Sequence, residues 1–293
     1  MDFEKIYTKA LDLNPVTYEE GSALYLNAPL DELIFIGDLV RQVHNPGKNA
    51  GWIIDRNFCR KNSSTDAYIT SVTDYINKIE EMVALGGDQL LLQGGMNPDL
   101  GLEFYASLFK TLKELYPSLK LHALGPPEIV YLSKKESLPY NAVLTRLIDA
   151  GLDSLPGAGA EILSDRVRKI VSPAKASSEE WLEVMRQAHR LNLPTSATMM
   201  YGHVETVLER IEHLVRLREL QDEKDPGHYG FITFVPWPFQ DEGTVLSEKN
   251  GIKSSYTPPD YIRLIAVSRI ILNNIKNIQA SVLTVGRETA IMA

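Results

Sequence analysis

Beyond residue 50 the chain alternates between short apolar runs and longer segments whose apolar residues recur every three or four positions. A short run bounded by turn residues reads as a strand buried on both faces, and the longer recurrence reads as an amphipathic helix. The pattern predicts strands over residues 52–55, 89–93, 119–124, 152–155, 195–200, 231–236 and 278–283. Between them it predicts helices over 74–85, 102–115, 141–150, 179–191, 204–222 and 258–273, with another starting at Arg287. Gly86-Gly87 and Gly151 stand where two of these helices should stop. The first fifty residues hold no strand-like run. They predict a helical extension: one helix over 4–13, a second opened by a capping box from Thr17 to Glu20, and a third over 31–44.

Seven strands alternating with helices, each strand apolar on both faces, predict a parallel sheet. A doubly wound sheet and a (βα)8-type TIM barrel both fit. The polar and turn-forming residues decide between them. Asp55, Gln93, Gly125, Pro156, Tyr201, Pro236 and Thr284 follow nearly every strand. A barrel gathers all its strand ends at one mouth, whereas a doubly wound sheet concentrates function at one switch point. The expectation is therefore an α/β barrel over residues 51–293, preceded by the helical extension over 1–50. An eighth strand would be needed for closure, so the C-terminus reads as cut short. Residues 247–259 read as the most flexible loop.

Composition narrows the function classes. A net charge of −8 argues against nucleic acid as the main partner. No apolar run approaches the ~20 residues that span a bilayer, and the first residues lack a signal core. The expectation is a cytoplasmic protein without a membrane partner. One cysteine, Cys59, excludes an internal disulfide.

Several strand ends carry candidate chemistry, each with a plainer explanation beside it. Gln93-Gly94-Gly95 could bring backbone groups close to a ligand or simply turn into the next helix. Pro156-Gly-Ala-Gly-Ala-Glu161 lacks both the dinucleotide fingerprint and the P-loop lysine. Glu161 and Arg168 lie seven apart, on one face if a helix starts there. They suit either the hydroxyls and carboxylate of an amino-acid nucleoside or a surface ion pair. His122, His203 and Glu205 sit at strand ends, but with no H-E-x-x-H, and with His189 and His213 inside helices, a histidine metal site is disfavoured. His203 titrates in the range of a general acid or base. Pro236-Trp237-Pro-Phe-Gln240 could line a pocket for a flat ligand or pack in the core. Cys59 beside Arg60 and Lys61 has the cations that favour a thiolate, but no base is placed near it.

Taken in order, these stretches resemble one radical S-adenosylmethionine (SAM) family, the cyclic dehypoxanthinyl futalosine synthases of the futalosine route to menaquinone. The resemblance rests on Leu90-Leu-Leu-Gln-Gly-Gly-Met-Asn-Pro-Asp99, Leu121-His-Ala-Leu-Gly-Pro-Pro-Glu128, Asp153-Ser-Leu-Pro-Gly-Ala-Gly-Ala-Glu-Ile-Leu163, Ala197-Thr-Met-Met-Tyr-Gly-His-Val-Glu-Thr206 and Phe234-Val-Pro-Trp-Pro-Phe-Gln240. Aminofutalosine synthase is a near alternative. The resemblance implies a radical SAM barrel, a [4Fe–4S] cluster, SAM, a nucleoside-like substrate and an electron donor such as flavodoxin or ferredoxin. It implies that a 5′-deoxyadenosyl radical abstracts a hydrogen from the substrate ribose and that the substrate radical closes a ring. By the same resemblance Gln93, Gly94 and Gly95 meet the SAM amino group, Glu161 its ribose and Arg168 its carboxylate. His122, His203 and Trp237 line the substrate pocket.

One departure stands against this pattern. The family holds its cluster with a C-x-x-x-C-x-x-C loop after the first strand. Here Asp55-Arg-Asn57 runs directly into Phe58-Cys-Arg-Lys-Asn62, and about fifteen residues of the family pattern are missing. Cys59 then matches the last cluster cysteine or a position just beyond it. One thiolate cannot hold the cluster. Either a loop belongs between Asn57 and Phe58, or the chain is a cluster-less barrel that binds a nucleoside without catalysis.

Overall fold

The computed structural model describes residues 2–47, 55–59 (backbone only), 71–93 and 96–293. Its helices start where short polar side chains can cap them. Reciprocal capping boxes pair Thr17 with Glu20, Ser71 with Asp74, Ser177 with Glu180, and Thr206 with Glu209. Helices α1 (Phe3–Leu11), α2 (Tyr18–Asn27) and α3 (Leu30–His44) come first. Then β1 (Asp55–Cys59), α4 (Val72–Ala84), β2 (Gln89–Gln93), α5 (Leu102–Leu115), β3 (Lys120–Ala123), α6 (Pro126–Glu136), α7 (Tyr140–Asp149), α8 (Asp165–Val171) and α9 (Ser178–Arg190) follow. The chain continues with β4 (Thr195–Tyr201), α10 (Val207–Asp222), β5 (Phe231–Pro238), α11 (Val245–Asn250), α12 (Pro258–Ile271), β6 (Asn277–Ile278), α13 (Val282–Val285) and α14 (Arg287–Met292).

All strand pairs are parallel and sequential. One sheet runs β1-β2-β3 and the other β4-β5-β6. Parallel bridges from His122 to Ser154 and from Leu155 to Thr195 join them into one series. This is the barrel-type order that the strand ends imply, with the 152–155 strand reduced to a two-residue link. Sequential parallel strands with right-handed crossovers place the helices on one side of the sheet. Leu90, Leu92, Leu121, Ala123, Leu155 and Phe234 are buried beneath them, at 0–6% exposure. The opposite, concave face carries the half-buried Leu91, Gln93, His122, Ser154, Val235 and Trp237.

The predicted extension packs against the far end of the chain. A Cβ at Gly37 would lie 3.3 Å from the Ala266 backbone, a tight contact, so glycine eases the close approach of α3 to α12. At Gly21 of α2, the same addition would meet Ile271 of α12 and Ile211 of α10.

Four local expectations change. The Gly125-Pro126-Pro127 turn opens α6, because proline suits the first helical positions, where no N–H is needed. Helix α8 begins at Asp165, so Glu161 lies outside it and does not share a helical face with Arg168. Residues 247–259 include the end of α11 and the Thr257 cap of α12. The seventh strand shrinks to Asn277–Ile278, and Val282–Val285 is helical. Residues 52–54 of the first predicted strand lie outside the described residues. Through the Asn57–Phe58 step, β1 stays in unbroken register with Leu91 and Leu92.

Candidate active site

Three of the predicted residues occupy half-buried positions on three strands. Gln93 ends β2, and its Cα partner across the ladder is Cys59 at the end of β1. Gly94 and Gly95 lie outside the described residues. His122 pairs with Leu91 on one side and bridges to Ser154 on the other. Trp237 of β5 lies opposite Met200 of β4, and both are half-buried.

His122 is held from one side. Its Nδ1 lies 2.7 Å from Ser154 Oγ. Among the described residues Ser154 is the hydrogen-bond partner of the ring. Burial lowers the ring's pKa to about 4, so the imidazole is neutral at pH 7. The link beneath it is held by Asp153, whose Oδ2 accepts the Leu121 N–H at 2.7 Å and an ion pair from Lys113 at 2.6 Å. Ser154 and Met200 lie within the quoted motifs but carry no role in the sequence pattern. The two-residue alternation along the strands was the signal that puts them on the concave face.

The exit over residues 156–161 owes its glycines to packing. A Cβ on Gly157 would fall 2.4 Å from the Ser196 carbonyl oxygen of β4. Gly157 also donates its N–H to Ser196 Oγ, and its carbonyl accepts from Thr198 Oγ1. Glu161 follows with a left-handed backbone (φ 47°), and its carbonyl accepts the Met200 N–H at 2.9 Å. Its carboxylate receives Lys175 Nζ at 2.6 Å and stays at the rim of the strand ends. Arg168 does not face outward as a carboxylate anchor. It is buried, and four of its five N–H groups go to the carbonyls of Gly159, Ala160 and Ala176. Its role in this geometry is to clamp the loop that carries Glu161.

His203 is likewise closed. Its side chain and that of Glu205 are fully enclosed. Nε2 lies 2.9 Å from the Met200 carbonyl, and Nδ1 sits between the Val204 N–H and the Glu205 carboxylate. Burial pushes the Glu205 carboxyl up, but His203, Arg210 and the Gly202 N–H favour the charged form more, and its pKa falls to about 2. Arg210 Nε binds Glu205 at 2.8 Å, while its Nη1 reaches Tyr25 of α2 and Asp260 of α12. The expected general acid or base is thus the end of a buried polar chain with no free nitrogen. His189 and His213 are structural, bound to Thr195 Oγ1 and the Leu163 N–H respectively. No group of three metal-binding side chains occurs among the described residues.

The model of the Radical SAM superfamily matches residues 57–217, and that of the CofH/MqnC C-terminal region matches residues 228–293. The chain belongs to the radical SAM superfamily. It is 36% identical to a 5-amino-6-(D-ribitylamino)uracil–L-tyrosine 4-hydroxyphenyl transferase of Methanosarcina mazei, over 94% of this chain and 75% of that one. It is 35% identical to the cyclic dehypoxanthine futalosine synthase of Streptomyces coelicolor, over 98% of this chain and 75% of that one. The aminodeoxyfutalosine synthase of Thermus thermophilus is also 35% identical, over 97% and 79%. The solved structure of methylornithine synthase (PylB) shares the fold at a TM-score of 0.67 and 16% identity, covering 98% of this chain and 82% of that one.

Superfamily membership implies an enzyme that uses a [4Fe–4S] cluster and SAM. The donor set of this chain does not fit the cluster. It has one cysteine where such a site takes three or more thiolates. The alignment with the Streptomyces protein spans 305 positions but uses 98% of these 293 residues, about 287. About 18 positions therefore have no counterpart here, a shortfall of the same size as the loop the sequence lacks after Asn57.

Proposed function

We propose that the activity of this fold is the radical cyclisation of dehypoxanthine futalosine in menaquinone biosynthesis. In this reading the chain, with its Asn57–Phe58 join, carries the ligand-binding half of that machinery without the cluster ligands. What supports the reading is that Gln93, His122 and Trp237 all occupy half-buried strand positions in a member of this superfamily. A neutral imidazole suits the hydroxyls of a riboside, and the indole suits its planar substituent. Gln93, with Gly94 and Gly95, and the rim carboxylate of Glu161 serve the amino group and ribose of SAM. Arg168 and His203 act indirectly, by fixing the Glu161 loop and the β4 exit. Residues 1–50 form a helical extension docked on a barrel domain over 51–293. The setting is cytoplasmic, with flavodoxin or ferredoxin as the electron donor when the cluster is held.

The test uses two chains under anaerobic conditions. The chain as it stands should bind dehypoxanthine futalosine by calorimetry yet take up no stoichiometric iron or sulfide. A variant with a fifteen-residue loop containing C-x-x-x-C-x-x-C inserted between Asn57 and Phe58 should load iron and sulfide and release the cyclic product with SAM and reductant. A loaded variant that leaves the futalosine unchanged but transfers the hydroxyphenyl group of L-tyrosine to 5-amino-6-(D-ribitylamino)uracil would replace this reading with the transferase activity named for the Methanosarcina relative.

A further inference from the structure

We infer that Tyr25 of α2 is a positioning residue: through one buried chain of hydrogen bonds its hydroxyl sets the Met200 peptide of β4 and, with it, the loop that carries Glu161. The helical extension is then a working part of the candidate site. That Glu161 meets a ribose rests on the proposed function above; the positioning does not. The Tyr25 hydroxyl donates to Asp260 Oδ1 at 2.6 Å and accepts from Arg210 Nη1 at 2.9 Å. Arg210 Nε donates to Glu205 Oε1 at 2.8 Å. The Glu205 carboxylate also accepts the backbone N–H groups of Gly202 and His203, at 2.6 and 2.9 Å. His203 returns to the strand through Nε2, 2.9 Å from the Met200 carbonyl. The Met200 N–H in turn donates to the Glu161 carbonyl at 2.9 Å. Guanidinium and amide N–H groups only donate and carbonyls only accept, so the direction of these links is fixed by chemistry.

Burial makes the chain selective. Tyr25 and Arg210 are 4% and 7% exposed, and the side chains of Glu205 and His203 are fully enclosed. Water does not replace a bond lost there, so the chain favours one arrangement. Phenylalanine would fill the space of Tyr25, so the share of the hydroxyl is to orient Arg210. The same guanidinium lies 4.7 Å from the centre of the Tyr201 ring, beside Met200 in the chain, and so grips the β4 exit a second time. At the far end Glu161 keeps a left-handed backbone, φ 47°, which a residue other than glycine holds only where its surroundings impose it. Arg168 holds that loop from one side, through the Gly159 and Ala160 carbonyls. The Met200 N–H holds it at Glu161 itself, and that bond ends the chain that starts in the extension.

The experiment is amide hydrogen exchange of the ligand-free full chain, read at Met200. The Leu124 N–H, bound to the Leu92 carbonyl at another strand exit, is the internal reference. Tyr25→Phe should speed exchange at Met200 by about tenfold, the scale of one net hydrogen bond, and leave Leu124 unmoved. Tyr7→Phe removes a similar hydroxyl bond within the extension, to Glu32, and should move neither amide. An unchanged Met200 in Tyr25→Phe, or equal acceleration of Met200 and Leu124, overturns the inference, because the hydroxyl then serves only the stability of the whole fold. Acceleration of Met200 to the same degree by Tyr7→Phe overturns it as well. Calorimetry with SAM checks the route to Glu161. Tyr25→Phe should weaken SAM binding by up to about tenfold and have no further effect once Glu161→Gln is in place. An equal loss in both backgrounds overturns the route through Glu161. Failure of the unsubstituted chain to bind SAM counts against the proposed function, while the exchange rates still decide the positioning.

Discussion

Two histidines at strand ends, His122 and His203, look alike in the sequence and have opposite fates in the fold. His122 stands at a half-buried strand position with one nitrogen tied to Ser154. His203 is fully enclosed, and its nitrogens meet Met200, Val204 and Glu205. Among the described residues the direct partner of His122 is a neutral hydroxyl. Around His203 the chain Glu205–Arg210–Asp260–Tyr25 links the β4 exit to α10, α12 and α2. The first region can trade its hydrogen bonds with a ligand. The second has spent them on holding four elements together, and breaking it would strand buried charge.

The largest expected effect lies in the closed region. Arg210→Met should lower unfolding stability by about 3–5 kcal/mol in a urea titration, because it leaves the Glu205 carboxylate buried without its cation. A loss below 1 kcal/mol would mean that the polar chain is not what joins these helices. Next, Gly157→Ala should cost about 1–3 kcal/mol and lower Tm, since its Cβ would fall 2.4 Å from the Ser196 carbonyl on β4. Unchanged stability would show that the strand exit has room to move.

Exchanging the two histidines sharpens the contrast at a similar scale. His203→Gln should destabilise by about 1–3 kcal/mol by leaving buried groups unpaired, with riboside affinity nearly intact. His122→Gln should weaken riboside binding and leave stability closer to that of the parent. The reverse outcome would invert the assignment of open and closed regions.

Acid should act through the histidines before the carboxylates. His122, His189 and His213 sit at about 4, 4 and 3 in the fold, against an ordinary value near 6.5. The unfolded chain takes up their protons first, so the stability present above pH 6.5 declines as pH falls toward 4 and 3. The slope is about 1.4 kcal/mol per pH unit for each histidine. Glu205, depressed to about 2, adds a second decline below pH 4.5. Equilibrium unfolding from pH 7 to 3 reads both phases, and His122→Gln should remove one histidine's share of the first. The smallest effect is expected at the rim. Lys175 is 41% exposed, so Lys175→Ala should change stability by no more than about 1 kcal/mol while freeing Glu161 for a ribose. Calorimetry with SAM would detect a gain in affinity; a loss would make Lys175 part of the site.

Much of the architecture was legible along the chain because it depends on local periodicity. Strand Gln89–Gln93 and helix Leu102–Leu115 fall on their predicted bounds, and the Thr17–Glu20 capping box forms as read. The errors arose where long-range pairing overrides local pattern. Residues 152–155 pair only through two bridges, and the apolar run after Ile278 folds back as α13. The candidate site divides along the same line. Gln93, His122 and Trp237 were legible as strand residues, and strand alternation fixes which side of the sheet each takes. Arg168 and His203 could not be judged, because only the folded chain shows that carbonyls and a buried carboxylate already occupy them.

The sequence by itself determined the sequential parallel α/β order, the family to which the chain belongs and the shortage of cluster thiolates, since these follow from periodicity, ordered motifs and a count of cysteines. Only the tertiary structure decided which polar residues remain available. A side chain's hydrogen-bonding capacity is finite, and whether it is used up depends on neighbours far away in sequence: Tyr25 and Asp260 on Arg210, Ala176 on Arg168, Ser154 on His122.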